Sequence, residues 1–146
     1  MQALNVMTLA VTTIHPEASI QEAHTLMLKL GIRHLPVVSG GKLMGMLSDR
    51  DVLLCVGRQS DDFVYPQLRV GERMSCEPVT GAIHTSVGDL ARRMLEHKIG
   101  AVPIVSQRVE LLGLVTSSDL LRLVVALPNG LALHLAAPDA MPAQRY

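Results

Sequence analysis

The sequence predicts an α/β (α+β) fold in which two copies of one β-α-β-β-α unit are related by a pseudo-twofold axis. The main observation is a repeat: residues 19–38 recur as residues 86–105 at a constant offset, so that Pro36 corresponds to Pro103. Each copy also combines one helical periodicity with two short β-branched segments. A unit of this size buries its own core poorly, so we expect the copies to pack together and to form clefts between them.

The first copy begins with a strand-like segment and continues into an amphipathic helix. Ser19, followed three residues later by Glu22, is a capping box that starts this helix. Gly31 is expected to end it. Between these positions the apolar residues recur at helical spacing and form one stripe, made of Ile20, Ala23, Met27 and Leu30.

A hairpin and a second helix complete the first copy. Residues 35–38 and 43–47 predict two strands, joined by a turn over residues 39–42. Residues 48–56 predict a helix that ends at Gly57. The second copy repeats this order, and its helix cap and apolar stripe are formed by Ser86, Asp89, Val87, Leu90 and Met94.

These patterns divide the chain into four parts. Residues 1–57 form the first repeat and residues 71–127 the second. Residues 58–70 are polar and are interpreted as a linker that could contain a helical turn. Residues 128–146 follow a Pro-Asn-Gly break, are rich in Ala and Pro, and form a tail outside the repeats.

The composition argues against several classes of function. The 146 residues include 13 basic and 13 acidic side chains, so no charge excess favours a nucleic acid or a membrane surface as partner. Only 2% of residues are aromatic, which also disfavours stacking on single strands. The two cysteines form no disulfide framework. We see neither a signal-peptide pattern nor an apolar run long enough to span a bilayer, and expect a cytoplasmic protein.

The strongest chemical signal is a hydroxyl–carboxylate motif that occurs at equivalent places in both copies. Ser48 precedes Asp51, and Thr116 precedes Asp119, each pair lying where a strand passes into a helix. Such a pair is itself a capping box worth roughly 1 kcal/mol, so one occurrence has a purely structural explanation. Its recurrence favours a ligand site, because helix N-termini suit phosphate and a nearby carboxylate suits the two hydroxyls of a ribose. The motif therefore predicts a nucleotide site without a Walker loop.

These segments resemble a tandem pair of cystathionine-β-synthase (CBS) domains, the Bateman module. The resemblance covers about residues 1–127 and leaves the tail outside. It implies β-α-β-β-α repeats that pack through their sheets, and a module that often pairs again into a homodimer. The matching segments are residues 6–8, 31–38 and 45–53 in the first copy and residues 74–75, 99–105 and 113–121 in the second.

The resemblance implies two clefts for adenine nucleotides or related adenosyl ligands, each built from both repeats. In the first cleft it places Thr116 and Asp119 opposite Thr13, Ile32, Arg33 and His34. In the second it places Ser48, Arg50 and Asp51 opposite Thr80, Ile99, Gly100 and Ala101. The isoleucines would flank the adenine, and the aspartates would hold the ribose.

The two clefts are not chemically equal in this sequence. Arg33 and His34 place cationic donors beside the first cleft, where Gly100 and Ala101 stand in the second. Arg50 partly compensates in the second cleft, since the planar arginine fork suits phosphate oxygens. We therefore expect the first cleft to prefer charged nucleotides more strongly. The alternative is that Arg33 and Arg50 merely face solvent or pair with Asp49.

The expected function is a regulatory sensor that binds ligands of the AMP, ADP and ATP class and signals to an unknown protein effector in trans. No catalysis and no required cofactor are expected, with Mg²⁺ entering only together with ATP. The 6 histidines lack the spacing of a metal site, so no metal is expected. The alternatives are a structural dimerisation module with degenerate clefts, a binder of S-adenosylmethionine or NAD-type ligands, and a nucleotide hydrolase. The sequence leaves open which ligand binds, and whether one or both clefts bind it.

Overall fold

The structure, a computed structural model, describes residues 1–126, in which two units share one order of elements. The tail expected over residues 128–146 lies outside the described residues. The elements are α1 (Ile20–Leu30), β1 (His34–Ser39), β2 (Lys42–Ser48), α2 (Asp49–Leu53), β3 (Gly57–Gln59), β4 (Asp62–Val64), α3 (Val87–His97), β5 (Ala101–Val105), β6 (Leu111–Thr116) and α4 (Ser117–Ala126), with 3₁₀ turns at Ala3–Asn5 and Val70–Glu72.

The first long helix of each repeat starts where the sequence predicts. The Ser19 hydroxyl accepts the Glu22 N–H at 3.1 Å, and the Glu22 carboxylate accepts the Ser19 N–H at 2.6 Å. Gly31, with a φ of 63°, ends α1 in the left-handed region that favours glycine. In the second repeat Lys98 takes this position with a φ of 53°. At the start of α3 the Ser86 hydroxyl accepts the Asp89 N–H at 3.0 Å, so the predicted N-terminal caps are confirmed for both helices.

Each repeat contains one antiparallel hairpin, β1–β2 in the first and β5–β6 in the second. The β segment expected to lead each unit is reduced to a single parallel bridge. Ile14 bridges to Val37 of β1, and Gly81 bridges to Ile104 of β5. Each of these two hairpins therefore has a one-residue neighbour on its β1 or β5 side.

Each hydrophobic core includes a short segment from the other repeat. These two leading segments are residues 3–8, which pack on the second repeat, and residues 70–75, which pack on the first. Ala3 is fully buried in the core of the second repeat, where it packs with Leu90, Met94, Val102, Ile104 and Val115. Val70 is fully buried in the core of the first repeat, with Ile20, Leu35, Val37, Leu47 and Val52 among its neighbours. Each core therefore contains residues from both sides of the linker, across the predicted boundaries 1–57 and 71–127.

Backbone pairing fixes this exchange. Thr8 and Leu114 exchange two hydrogen bonds of 2.9 and 3.0 Å, which attaches the start of the chain to β6. Met46 and Ser75 exchange two of 3.1 and 2.8 Å, which attaches the segment after the linker to β2. The hairpin of each repeat is thus bonded at one edge to a residue from the other part of the chain.

The linker region differs from the expectation. Residues 57–64 form the β3–β4 hairpin, and a helical turn appears only where the linker ends. Phe63 packs edge-on against His24 of α1, with ring centroids 4.8 Å apart, and the Tyr65 hydroxyl shares a 2.8 Å hydrogen bond with His24 Nδ1. This aromatic contact holds the hairpin on α1. Because the chain turns into β3 here, α2 ends at Leu53 and not at residue 56 as predicted.

Gly45 and Gly113 lie where the leading segments cross the hairpins, next to Ser75 and Thr8. Alanine at either position should destabilise the fold. A Cβ on Gly45 would lie 2.6 Å from the Ser75 carbonyl oxygen, and one on Gly113 would lie 2.9 Å from that of Thr8. Overpacking of this kind costs about 1–3 kcal/mol. Urea denaturation of Gly45→Ala and Gly113→Ala should show losses in this range.

Gly88→Ala is the matched control, because its Cβ would meet only the Ser86 Oγ, at 3.9 Å. An alanine in this first turn of α3 should leave stability unchanged or raise it by up to about 1 kcal/mol. Equal effects at Gly45 and Gly88 would contradict the steric role of the crossings.

Candidate functional site

Two clefts open between the repeats, one at the start of α4 and one at the start of α2. The Asp119 cleft has a volume of about 290 Å³ and is lined by Thr12, Ile32, Arg33, Thr116, Asp119 and Arg122, among others. The Asp51 cleft has a volume of about 450 Å³ and is lined by Ser48, Arg50, Asp51, Lys98, Ile99 and Ala101, among others. Both volumes are near the lower end of the roughly 300–1,000 Å³ of small-molecule pockets.

The exchanged segments form part of both clefts. The paired residues Thr8 and Leu114 line the Asp119 cleft. The equivalent pair, Met46 and Ser75, lines the Asp51 cleft. The leading segments that complete the two cores therefore also form part of the walls of the two clefts.

The structure brings together all the predicted site residues except Thr13 and Thr80. Thr12, and not Thr13, lines the Asp119 cleft, while Thr13 is exposed outside the lining. Thr80 lies outside the Asp51 cleft, and its carbonyl oxygen accepts a hydrogen bond from the Arg93 guanidinium. The repeat alignment pairs Thr13 with Thr80 correctly, but it cannot show on which side of an extended segment each side chain lies.

The two aspartates are built into the helix caps. Asp119 Oδ2 accepts the Thr116 N–H at 2.8 Å and the Thr116 hydroxyl at 2.7 Å. Asp51 Oδ2 accepts the Ser48 N–H and hydroxyl at the same two distances. In each case one carboxylate oxygen serves the cap, and the other, Oδ1, takes no part in it.

The helix ends are less open to phosphate than the sequence suggests. The first amides of α2 and α4, those of Asp49 and Ser117, donate to the carbonyls of Arg33 and Gly100 at 2.9 Å. The third amide of each helix donates to its capping hydroxyl. Most first-turn donors are thus already bonded, so few of them are open to a phosphate.

The outer oxygens of the two aspartates differ. Asp119 Oδ1 accepts from Arg122 Nη1 at 2.8 Å, one turn along α4. No hydrogen bond or ion pair to Asp51 Oδ1 is found within residues 1–126. Leu54, the residue that caps the end of α2, holds the position equivalent to Arg122 and is 81% exposed. Arg122 was missed by the sequence reasoning, although its spacing from Asp119 on one helix could have revealed it.

His34 lies between the clefts and lines both of them. A Cβ on Gly100 would lie 3.0 Å from its Cε1 atom, so the ring packs directly on the Gly100 backbone. Burial lowers the pKa of His34 below its ordinary value of 6.5, and Arg33 acts in the same direction, although Asp49 and Asp51 oppose them. The lowered pKa favours the neutral ring, so His34 adds less positive charge beside Arg33 than the sequence predicts.

Cationic side chains are distributed over both clefts. Arg33 lines the two, Arg122 lines the Asp119 cleft, and Arg50 and Lys98 line the Asp51 cleft. The described part of the chain contains no group of three or more His, Cys, Asp or Glu side chains placed to hold a metal ion. Over the same residues no helix has the length and apolarity needed to cross a membrane.

Comparisons with known proteins agree with this geometry. The CBS domain model matches residues 3–58 and 70–126. The CBS domain-containing protein YhcV of Bacillus subtilis (strain 168) is 41% identical over 114 residues, which cover 78% of this chain and 79% of that protein. An inosine-5′-monophosphate dehydrogenase of Korarchaeum cryptofilum (strain OPF8) is 36% identical over 109 residues, which cover 75% of this chain but only 21% of the enzyme.

Some similar solved structures are complexes with adenosyl compounds. The CBS domain pair of protein MJ0100, in complex with 5′-methylthioadenosine and S-adenosyl-L-methionine, has a TM-score of 0.74 and 27% identity, covering 86% of this chain and 96% of that one. The cytosolic domain of the Mg²⁺ channel MgtE, in complex with ATP, has a TM-score of 0.69 and 25% identity, covering 84% of this chain and 48% of that one.

His34 should contribute a pH dependence to stability. Its lowered pKa means that the unfolded chain takes up a proton near pH 6.5 that the folded chain does not. The free energy of unfolding should therefore fall as the pH decreases below the ordinary value, until the folded pKa is passed. In His34→Gln this component should be lost. Urea denaturation between about pH 8 and about pH 5 measures it.

His84→Gln is the control for this experiment, because His84 is exposed and lies outside both clefts. It should keep the wild-type profile. A profile of His34→Gln that follows the wild type would contradict the burial of the imidazole between the clefts.

Proposed function

The chain belongs to the CBS domain family, and from this we propose that it is a regulatory sensor that binds adenosine-containing ligands in the two clefts between its repeats. Ligands of the AMP, ADP and ATP class are the first candidates. The observation that carries the proposal is the pairing, in each cleft, of a cap-anchored aspartate from one repeat with an isoleucine from the other. This pairing is Asp119 with Ile32 in one cleft and Asp51 with Ile99 in the other.

The proposed binding mode follows from the contacts. The aspartate would accept hydrogen bonds from the ribose hydroxyls through Oδ1, because Oδ2 is held by the cap. The adenine would lie against Ile32 or Ile99, each of which is half-buried against the core of its own repeat. Phosphates would bind the arginine and lysine side chains, which are charge-assisted donors. Mg²⁺ would enter only with ATP.

Signalling is proposed to follow from the shared construction of the clefts. A ligand that touches both repeats bridges them, and it therefore favours whichever relative arrangement of the repeats binds it best. The change in arrangement would be transmitted through a homodimer to a separate effector protein. Exposed apolar side chains at the end of α2 and on α4 support such a pairing surface, namely Leu53, Leu54, Leu121, Val124 and Val125. The proposal assigns no reaction to this chain.

A second candidate is a ligand of the S-adenosylmethionine type. The complex of the MJ0100 domain pair with 5′-methylthioadenosine and S-adenosyl-L-methionine favours it. The two candidates share the adenosine group and differ in the charge of the 5′ substituent. The ligand panel below separates them.

At least one adenosyl ligand should raise the melting temperature of the protein. The panel contains AMP, ADP, ATP, S-adenosylmethionine, 5′-methylthioadenosine and NADH. A ligand present at about 100 times its dissociation constant adds about 2.7 kcal/mol to the free energy of unfolding. Thermal shift measures the effect, and GMP serves as the control for the base. Failure of the whole panel would favour a structural module with degenerate clefts.

Asp51→Ala and Asp119→Ala should each weaken binding at one cleft. A hydrogen bond to a charged group contributes about 1.5–3 kcal/mol, so affinity at the altered cleft should fall about 10- to 100-fold. Isothermal titration calorimetry with the best ligand of the panel measures the loss. Asp89→Ala is the matched control, because it removes the Ser86–Asp89 cap contact of α3, which lies in neither cleft. An equal loss of affinity in Asp89→Ala would show that cap removal alone explains the result.

A further inference from the structure

We propose that Arg122 is a specificity-determining residue, which makes the Asp119 cleft select adenosyl ligands that carry a 5′-phosphate over those with a neutral or cationic 5′ group. The inference rests on the proposed function, because it assumes that Asp119 holds a ribose. It adds a rule about which members of the ligand class each cleft accepts.

Arg122 occupies the acceptor that a ribose needs. Its Nη1 atom lies 2.8 Å from Asp119 Oδ1, and the other carboxylate oxygen is bonded twice by Thr116. A ribose hydroxyl that binds Asp119 must therefore displace the guanidinium from Oδ1 or share it. The Arg122 side chain is 76% exposed, so this ion pair is weak, and its loss lowers the affinity of any ribose by only about two- to five-fold.

The displaced guanidinium remains beside the ligand. Arg122 belongs to the cleft lining together with Thr116 and Asp119, and a one-turn separation on α4 keeps it within reach of a bound nucleoside. A phosphate group offers the planar arginine fork two oxygens and replaces the lost partner. A methylthio group offers no such partner, and a sulfonium group adds a like charge. Only phosphate-bearing ligands therefore recover the ion-pair energy that the ribose removes.

The Asp51 cleft lacks this device. Leu54 stands at the position of Arg122, and no described residue bonds Asp51 Oδ1. Total charge does not distinguish the clefts, since Arg50 and Lys98 also line the second. The difference is that only the Asp119 cleft couples ribose binding to the release of a cation. Nucleosides without phosphate should therefore bind the Asp51 cleft with less hindrance.

The test compares AMP with 5′-methylthioadenosine by isothermal titration calorimetry. The full-length Asp51→Ala protein serves as background, so that the Asp119 cleft is measured alone. Arg122→Leu should weaken AMP about tenfold and should leave 5′-methylthioadenosine unchanged or up to about five-fold tighter. The ratio of the two affinities should thus fall at least tenfold. Arg122→Lys, which keeps the charge but loses the fork, should give an intermediate ratio.

Two further variants make the result specific. Arg92→Leu removes the Arg92–Asp89 pair, which has the same spacing on α3 but lies outside both clefts, and it should leave the ratio unchanged. Leu54→Arg in an Asp119→Ala background should transfer the preference for AMP to the Asp51 cleft. Equal changes for both ligands in Arg122→Leu overturn the inference and leave the proposed function standing. Failure of both ligands and of the rest of the panel to bind the unaltered protein overturns both.

Discussion

The exchange of leading segments between the repeats is the constraint on which the rest of the structure depends. The hydrogen-bonded pairs Thr8–Leu114 and Met46–Ser75 attach each segment to the hairpin of the other repeat. The same residues line the two clefts, so the packing that completes the cores also creates the hollows. Backbone carbonyls approach Gly45 and Gly113 so closely that no larger residue fits without a shift. Stability and ligand binding therefore share one set of contacts.

The two cleft aspartates combine a structural contact with a position in the cleft lining. One oxygen of each carboxylate anchors the helix cap, and this anchoring fixes where the other oxygen lies before any ligand arrives. In the proposed function, the capping box is therefore not an alternative to a ribose-binding site but the contact that positions it. The difference between the two clefts arises one helical turn away, where Arg122 in one repeat corresponds to Leu54 in the other.

The features that the sequence predicted well are those with local signals. Capping pairs such as Ser19 and Glu22, the hairpins and the cleft aspartates depend on residues a few positions apart, and the repeat itself marks equivalent places. The features that it missed depend on contacts between distant parts of the chain. The burial of Ala3 in the second core and the docking of Phe63 on His24 have no local signature. The choice of Thr12 over Thr13 depends on a one-residue register, and the aligned pair of threonines does not encode it.

The exchange of leading segments affects whether one repeat could fold without the other. A polypeptide that carried only residues 68–126 would contain Val70 but not the first-repeat core that buries it, and it would lack the Ala3 that fills its own. In such a fragment the edge of β6 that Thr8 pairs here would be exposed, and it could pair with the first residues of a second molecule. Two of them would then intertwine reciprocally, as the halves do here. The tandem chain is in this sense an intertwined dimer with a covalent tether, and its tether makes assembly independent of concentration.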